Sequence, residues 1–218
     1  MSTTGPHIAA IVVAGGQGIR FGGPKQFLEL DGRTVAQRSV EAARSVATQV
    51  VLVAPEGITD AHGADLLVVG GDTRADSVRA GLAVISPEYD VIVVHDAARP
   101  LASPALFTAV VGGLDSGVDG AICALPVSDT IKRVATIEGH RRVIETVPRA
   151  DLVAVQTPQA FRAGILRAAH DAGEEATDDA GLVEAIGGTI VVVEGEPENI
   201  KLTTPSDLRM AQLFVKEA

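Results

Sequence analysis

The chain has 218 residues, room for one large domain, and is 46% apolar but only 3% aromatic, so Val, Ile, Leu and Ala must fill its core. Its 18 Lys and Arg face 28 Asp and Glu, a formal net charge of −10 that argues against a general nucleic-acid binder. A small anionic substrate remains open, because a few clustered cations can outweigh a diffuse negative surface.

Other classes are excluded by single features. Cys123 stands alone, so no internal disulfide forms and the usage fits a reducing compartment. The five His show no zinc-ligand spacing. No apolar run reaches the length of a membrane span, and the N-terminus lacks the cationic start and apolar core of a signal peptide. A soluble, cytoplasmic protein is expected, with no membrane partner.

In chain order, short β-branched runs alternate with Ala-rich segments. Ile8–Val13, Val50–Ala54, Leu66–Val69, Val91–Val94, Gly120–Leu125 and Thr189–Val193 read as buried strands. Helical spacing marks Val35–Val46, Arg74–Ile85, Ala105–Leu114, Phe161–Asp171, Asp179–Ile186 and Ser206–Val215. Ser103 before Pro104 and Thr204 before Pro205 are good helix starts. The series predicts an α/β fold, a mostly parallel twisted sheet with helices on both faces, built as a single domain over 1–218.

The segment 127–150 breaks this pattern. It is polar and β-branched with a Glu138-Gly139 turn near its middle, so it reads as a hairpin. Lys132, Arg133, Arg141 and Arg142 make it too polar to enter the sheet. It is expected to project as an arm, and since an isolated ribbon is marginal in water, to contact a second copy in a homodimer.

The first strand runs into Ala14-Gly15-Gly16-Gln17-Gly18-Ile19-Arg20-Phe21-Gly22-Gly23-Pro24-Lys25. Phe21 stands where a dinucleotide fingerprint needs its third Gly, and Pro24 interrupts a P-loop. Successive glycines still let backbone N–H groups converge on an anion, and the loop adds two cations, Arg20 and Lys25. A second Gly-rich turn, Gly70-Gly71-Asp72-Thr73, follows the third strand, where open α/β sheets bind ligands. Asp72 or Thr73 there reads first as a helix cap, while the glycines would also admit a nucleobase and Ser77 could reach a base or phosphate. The fourth strand ends in His95-Asp96-Ala97-Ala98-Arg99-Pro100. Asp96 is placed either to hold Mg²⁺ or to close the loop through a salt bridge to Arg99, and the residues leave both open. His95 reads as oriented by structure rather than catalytic. Thr177-Asp178-Asp179 reads as a helix N-terminus.

Taken together these motifs, with Asp129-Thr130-x-Lys132, Gln156-Thr157-Pro158-Gln159 and Asn199-Ile200-Lys201, resemble the 2-C-methyl-D-erythritol 4-phosphate cytidylyltransferase family over nearly the whole chain. Gly15 stands where many members have Ala, and Ile19 where another Arg is common. The resemblance implies a Rossmann-like nucleotidyltransferase fold and transfer of CMP from CTP to methylerythritol phosphate, with Mg²⁺ as cofactor. It also implies roles for particular residues. Ala14, Gly15, Gly16, Gly18 and Arg20 would cradle the CTP phosphates, and Lys25 would hold the α-phosphate. Gly71, Asp72 and Ser77 would meet the cytosine, with Ala97 also on the nucleotide. Asp96 would hold the metal. Arg99, Thr130, Arg149, Thr157 and Lys201 would border the sugar phosphate, with arm residues reaching across a homodimer. Arg20, Lys25 and Lys201 would be the catalytic cations. The alternatives are a ribitol-5-phosphate cytidylyltransferase, a guanylyltransferase of a pterin cofactor, and a non-catalytic nucleotide sensor.

Overall fold

The computed structural model describes residues 5–15, 25–173 and 176–217. In chain order the elements are β1 (Ile8–Val13), a 3-10 turn (Lys25–Phe27), β2 (Glu29–Leu30), β3 (Arg33–Thr34), α1 (Val35–Ala43), β4 (Gln49–Ala54), β5 (Leu66–Val69), α2 (Arg74–Val84) and β6 (Val91–Asp96). Then follow α3 (Pro104–Gly112), β7 (Gly120–Pro126), β8 (Ile131–Ile137), β9 (His140–Val147), β10 (Val153–Arg162), α4 (Ala163–Asp171), α5 (Asp179–Ala185), β11 (Ile190–Glu194) and α6 (Pro205–Glu217).

Among the described residues, seven strands form one sheet in the order β11-β7-β10-β6-β1-β4-β5. All pairings are parallel except those of β10, which runs antiparallel to both β6 and β7. Strand residues alternate between two cores, as a period of two requires. Ala10, Val12, Leu52 and Val93 face a layer with Val40 and Phe107 of α1 and α3, whereas Ala9, Ile11, Val53 and Ile92 face Val78, Leu166 and Leu182 of α2, α4 and α5. Helices therefore cover both faces, as expected. A third cluster, Leu30, Val35, Leu202 and Ala211, seats α6 against the small β2–β3 hairpin.

The helices start where their caps put them. Thr34 accepts from the Gln37 N–H, Ser103 from Leu106 with Pro104 in the first turn, and Asp178 from Gly181. At α2, Thr73 and Asp76 form a reciprocal capping box, so Thr73 rather than Asp72 is the cap. The Thr73 hydroxyl and the Arg79 guanidinium hold the Asp76 carboxyl down to about 2.

Three sequence expectations are corrected. β5 and β11, expected as buried strands, are the two edges of the sheet and partly exposed, with Val69 at 59% and Val192 at 52%. Phe161 and Arg162 belong to β10, and α4 begins only at Ala163. The whole of β10 was unpredicted, because Gln156, Thr157, Pro158 and Gln159 give it no apolar run, and its ladder to β7 skips between Val155 and Gln159, where Pro158 has no N–H to donate. The hairpin is β8–β9, turning through Glu138 and Gly139 with φ of 51° and 78°, the left-handed pair that a two-residue hairpin turn requires. Its strands pair with each other, and nearly every residue in them is exposed.

Candidate active site at the carboxyl ends of β1 and β6

From β1 the chain moves outward to β4 and β5, then returns past β1 to begin β6. This reversal of strand order opens a crevice at the carboxyl ends of β1 and β6, where sheets of this kind bind ligands. Val13 and Asp96 are register partners there, and the Ala97 N–H donates to the Val13 carbonyl at 3.0 Å. The chain leaves β1 at Ala14 and returns to the same place, because the side-chain amide of Gln26, next to Lys25, donates to the Ala14 carbonyl. The β5–α2 turn closes the side of the crevice. Ser77 is buried, gives its hydroxyl to the Thr73 carbonyl at 3.0 Å, and lies so near that a Cβ on Gly15 or Gly70 would sit 3.0 or 2.7 Å from its oxygen. A Cβ on Gly71 would sit 2.3 Å from that of Asp76. These glycines are what lets the turn lie against the end of β1.

Asp96 is the centre of the charge. Its Oδ1 accepts from Arg74 Nε at 3.1 Å and its Oδ2 from Lys201 Nζ at 2.6 Å. Burial alone would push this carboxyl up, but the two cations reverse the effect and hold it well below the usual carboxylate range. Arg74 continues to Asp179, donating from Nη1 to Oδ2 at 2.6 Å, and His170 Nε2 meets the other Asp179 oxygen at 3.0 Å. Burial opposes the charge on Arg74, yet Asp179 and Asp96 raise its pKa above the ordinary value.

The backbone of Asp96 is held as firmly as its side chain. Its N–H donates to Thr157 Oγ1 at 3.0 Å; the Arg99 carbonyl, 3.2 Å from His95 Nε2, can only accept, so Nε2 carries the proton and the Thr157 hydroxyl donates to Nδ1 at 3.1 Å. The chain of donors fixes one neutral tautomer of His95. Burial agrees, pulling its pKa down to about 4.

Lys201 reaches Asp96 because the segment before it is stitched down. Gln156 donates to the Glu196 carbonyl and accepts from the Glu196 N–H at 2.9 and 3.1 Å, and Asn199 Nδ2 donates to the Thr157 carbonyl at 2.9 Å. Arg99 Nη1 then donates to the Asn199 carbonyl at 2.7 Å, and the Leu202 N–H to that of Ala98 at 2.8 Å. The result is a cleft of about 380 Å³, lined among others by Arg74, Asp96, Arg99, Thr157, Gln159 and Lys201. Arg99 Nε and Arg74 Nη2 are buried and have no hydrogen-bond partner among the described residues. Such a cleft is chemically suited to an anion: cationic donors converge and a carboxylate is kept ionised beside them.

The model of the family described as 2-C-methyl-D-erythritol 4-phosphate cytidylyltransferase matches residues 8–217. The chain belongs to this family. Relatives of that name include one from Rhodococcus jostii, 44% identical over 96% of each chain, and one from Rubrobacter xylanophilus, 45% identical over 94% of each. The chain is also similar to a crystal structure of 2-C-methyl-D-erythritol 4-phosphate cytidylyltransferase from Thermus thermophilus, with TM-score 0.80 and 34% identity over 94% of this chain and 98% of that one.

The residues singled out for this family's chemistry fall into three groups. Ala14, Gly15, Lys25, Asp96, Ala97, Arg99, Thr157 and Lys201 lie at the mouth of the β1–β6 crevice or in the adjoining cleft, with Gly71 and Asp72 on the turn beside it. Thr130 and Arg149 are exposed at the root of the arm, where Arg149 donates to the Ser128 carbonyl. Gly16, Gly18 and Arg20 lie outside the described residues. The loop-closing pair between Asp96 and Arg99 does not form: Arg99 goes to backbone carbonyls, and Arg74 and Lys201 take the carboxylate instead. Ser77 is buried beneath the glycines, with its hydroxyl on the Thr73 carbonyl.

Sequence reasoning missed Arg74, Asp179 and His170 as members of the site. One signal was present: a cation in the first turn of a helix opposes the macrodipole, so Arg74 needed a tertiary reason to be there. Asp179 gave no such signal, since a carboxylate in a first turn is ordinary.

Proposed function

We propose that the β1–β6 crevice carries out the family's reaction, transfer of CMP from CTP to 2-C-methyl-D-erythritol 4-phosphate. A phosphate oxygen of the sugar attacks the α-phosphorus of CTP, the bond to the β-phosphate oxygen breaks, and pyrophosphate leaves with that electron pair. The attacking phosphate is already anionic near neutral pH, so no strong general base is required. The obstacle is bringing two polyanions together and stabilising charge on the α-phosphoryl oxygens, which is work for preorganised cations. The observation that carries the reading is the array Lys201–Asp96–Arg74 at the switch point of the sheet, beside the return of the Gly-rich loop at Lys25.

In this reading Lys25 and Arg20 hold the CTP phosphates together with the Ala14–Gly18 backbone, in which the Ala14 N–H itself is committed to the Val53 carbonyl at 2.7 Å, and Gly71, Asp72 and Ser77 meet the cytosine. Arg99, Thr157 and Lys201 border the sugar phosphate. Asp96 fits a Mg²⁺ site of the usual kind, one carboxylate plus substrate phosphate oxygens. Its Lys201 partner is 44% exposed, so a phosphate could reach the ammonium, with the metal then taking over compensation of the buried carboxylate. When bound, Mg²⁺ would neutralise part of the triphosphate charge.

The protein acts as a homodimer in the same reading, each arm bringing Thr130 and Arg149 towards its partner. An exposed two-stranded ribbon is marginal by itself, and Val143 and Ile144 on it are 60% and 53% exposed. No described helix is long and apolar enough to cross a membrane, and the −10 charge disfavours nucleic acid; a cytoplasmic location accords with both.

The test is pyrophosphate release with CTP, GTP or UTP, each offered with methylerythritol phosphate or ribitol 5-phosphate. Release with CTP and methylerythritol phosphate, and little with the other pairs, is the expected result. Preference for ribitol 5-phosphate, or CTP binding with no release, would overturn the assignment.

A further inference from the structure

Asp96 is held by two cations of different character. Lys201 is a flexible, half-exposed point charge, whereas Arg74 is 27% exposed and tied at both ends, Nε to Asp96 and Nη1 to Asp179. Asp179 is itself immobile: it is fully buried, one oxygen on Arg74 and the other on His170 Nε2 at 3.0 Å, and His170 is buried as well. A planar guanidinium can fix two carboxylates in one geometry at once, which an ammonium cannot. Nor does α2 gain from the residue, since a cation at its first position opposes the helix dipole.

We propose that Arg74 is a positioning residue for the transfer, anchored from behind by Asp179 and His170 so that Asp96 keeps its orientation when Lys201 leaves it for a phosphate. This rests on the transferase reading above. Arg74 acts through Asp96, and Asp179 and His170 act through Arg74. A tie between α2 and α5 alone would need no ionic group, because buried ion pairs are replaceable by apolar packing at little cost.

The order of action makes a double-mutant cycle decisive. Turnover and KM for CTP are measured in the wild type, Asp179→Asn, Arg74→Lys and the double variant. Asp179→Asn is expected to lower kcat about tenfold to a hundredfold while KM for CTP stays within about threefold, the signature of lost orientation rather than lost binding. In the Arg74→Lys background the same change is expected to add nothing, since its route to Asp96 is already broken. Equal losses in both backgrounds, or a wild-type kcat in Asp179→Asn, would overturn the proposal. If Asp179→Asn does not fold, His170→Gln is the substitute, with a smaller kcat loss expected and the same cancellation in Arg74→Lys. A second readout needs no turnover: the Arg74 Nε–H resonance in ¹⁵N NMR of the ligand-free protein should be slowly exchanging in the wild type and lost in Asp179→Asn. An unchanged resonance contradicts the anchoring. Should the wild type release no pyrophosphate from CTP, the transferase reading fails while this resonance still decides whether Asp179 holds Arg74.

Discussion

His95 shows how a residue next to the chemistry can serve it without taking part. Its ring links the Thr157 hydroxyl to the Arg99 carbonyl, and so ties the turn after β6 to β10. Folding favours the neutral ring, with the pKa brought by burial from the ordinary 6.5 to about 4. The unfolded chain therefore binds the extra proton first as pH falls, so this contribution is complete above pH 6.5 and is lost progressively towards pH 4. The shift corresponds to about 3 kcal/mol at most. Urea unfolding between pH 7 and 4.5 should show that decline in the wild type and a shallower one in His95→Gln; identical slopes would contradict the burial argument. The sequence suggested an oriented rather than catalytic His95, because transfer between phosphates asks little proton chemistry. The partners that orient it were not legible, since Thr157 lies sixty-two positions away in a strand without an apolar run.

At the scale of elements, legibility followed burial on two faces. β1, β4 and β6 are buried, continuous apolar runs because helices cover the sheet on both sides, and their spans were read to within two residues; β5, a partly exposed edge strand, was read from its aliphatic run alone. β10 was invisible for the opposite reason. Its buried residues Gln156, Thr157 and Gln159 hydrogen-bond to Glu196, Asn199, His95, Asp96 and Asp178, with Gln159 Oε1 left without a partner among the described residues, so this part of the strand is buried without being apolar. Site and strand were hidden by the same residues. The hairpin was legible through its turn and its polarity, and its exposed Val143 and Ile144 give the proposed dimer a test. Val143→Asp with Ile144→Asp should shift the sedimenting species from two chains to one and depress turnover, if arms complete each other's sites. An unchanged mass would remove the arm from the interface.

For the whole molecule, the net charge of −10 describes the surface, whereas the described lining of the cleft balances three cations against three carboxylates. Arg74, Arg99 and Lys201 line one cleft together with Asp96, Asp178 and Glu184, and Lys25 lies at the return of the loop beside it, so cationic donors are gathered at one place on an acidic protein. The sheet makes this possible. Its reversal of order places the ends of β1 and β6 side by side, and the antiparallel β10 brings Thr157 to the same edge. Motif spacing identified the family and most of that edge, but the charge relay behind Asp96 required three elements distant in sequence to meet.

In the proposed function Lys25 and Lys201 stabilise the charge that develops on transfer, and turnover of Lys25→Ala and Lys201→Ala with CTP and methylerythritol phosphate tests this most directly. Loss of one such preorganised donor costs about a hundredfold to a thousandfold in kcat. That loss is expected in each variant, with the fold retained by circular dichroism and a lowered thermal midpoint only in Lys201→Ala, where Asp96 loses a partner; near-normal kcat in both would contradict the account.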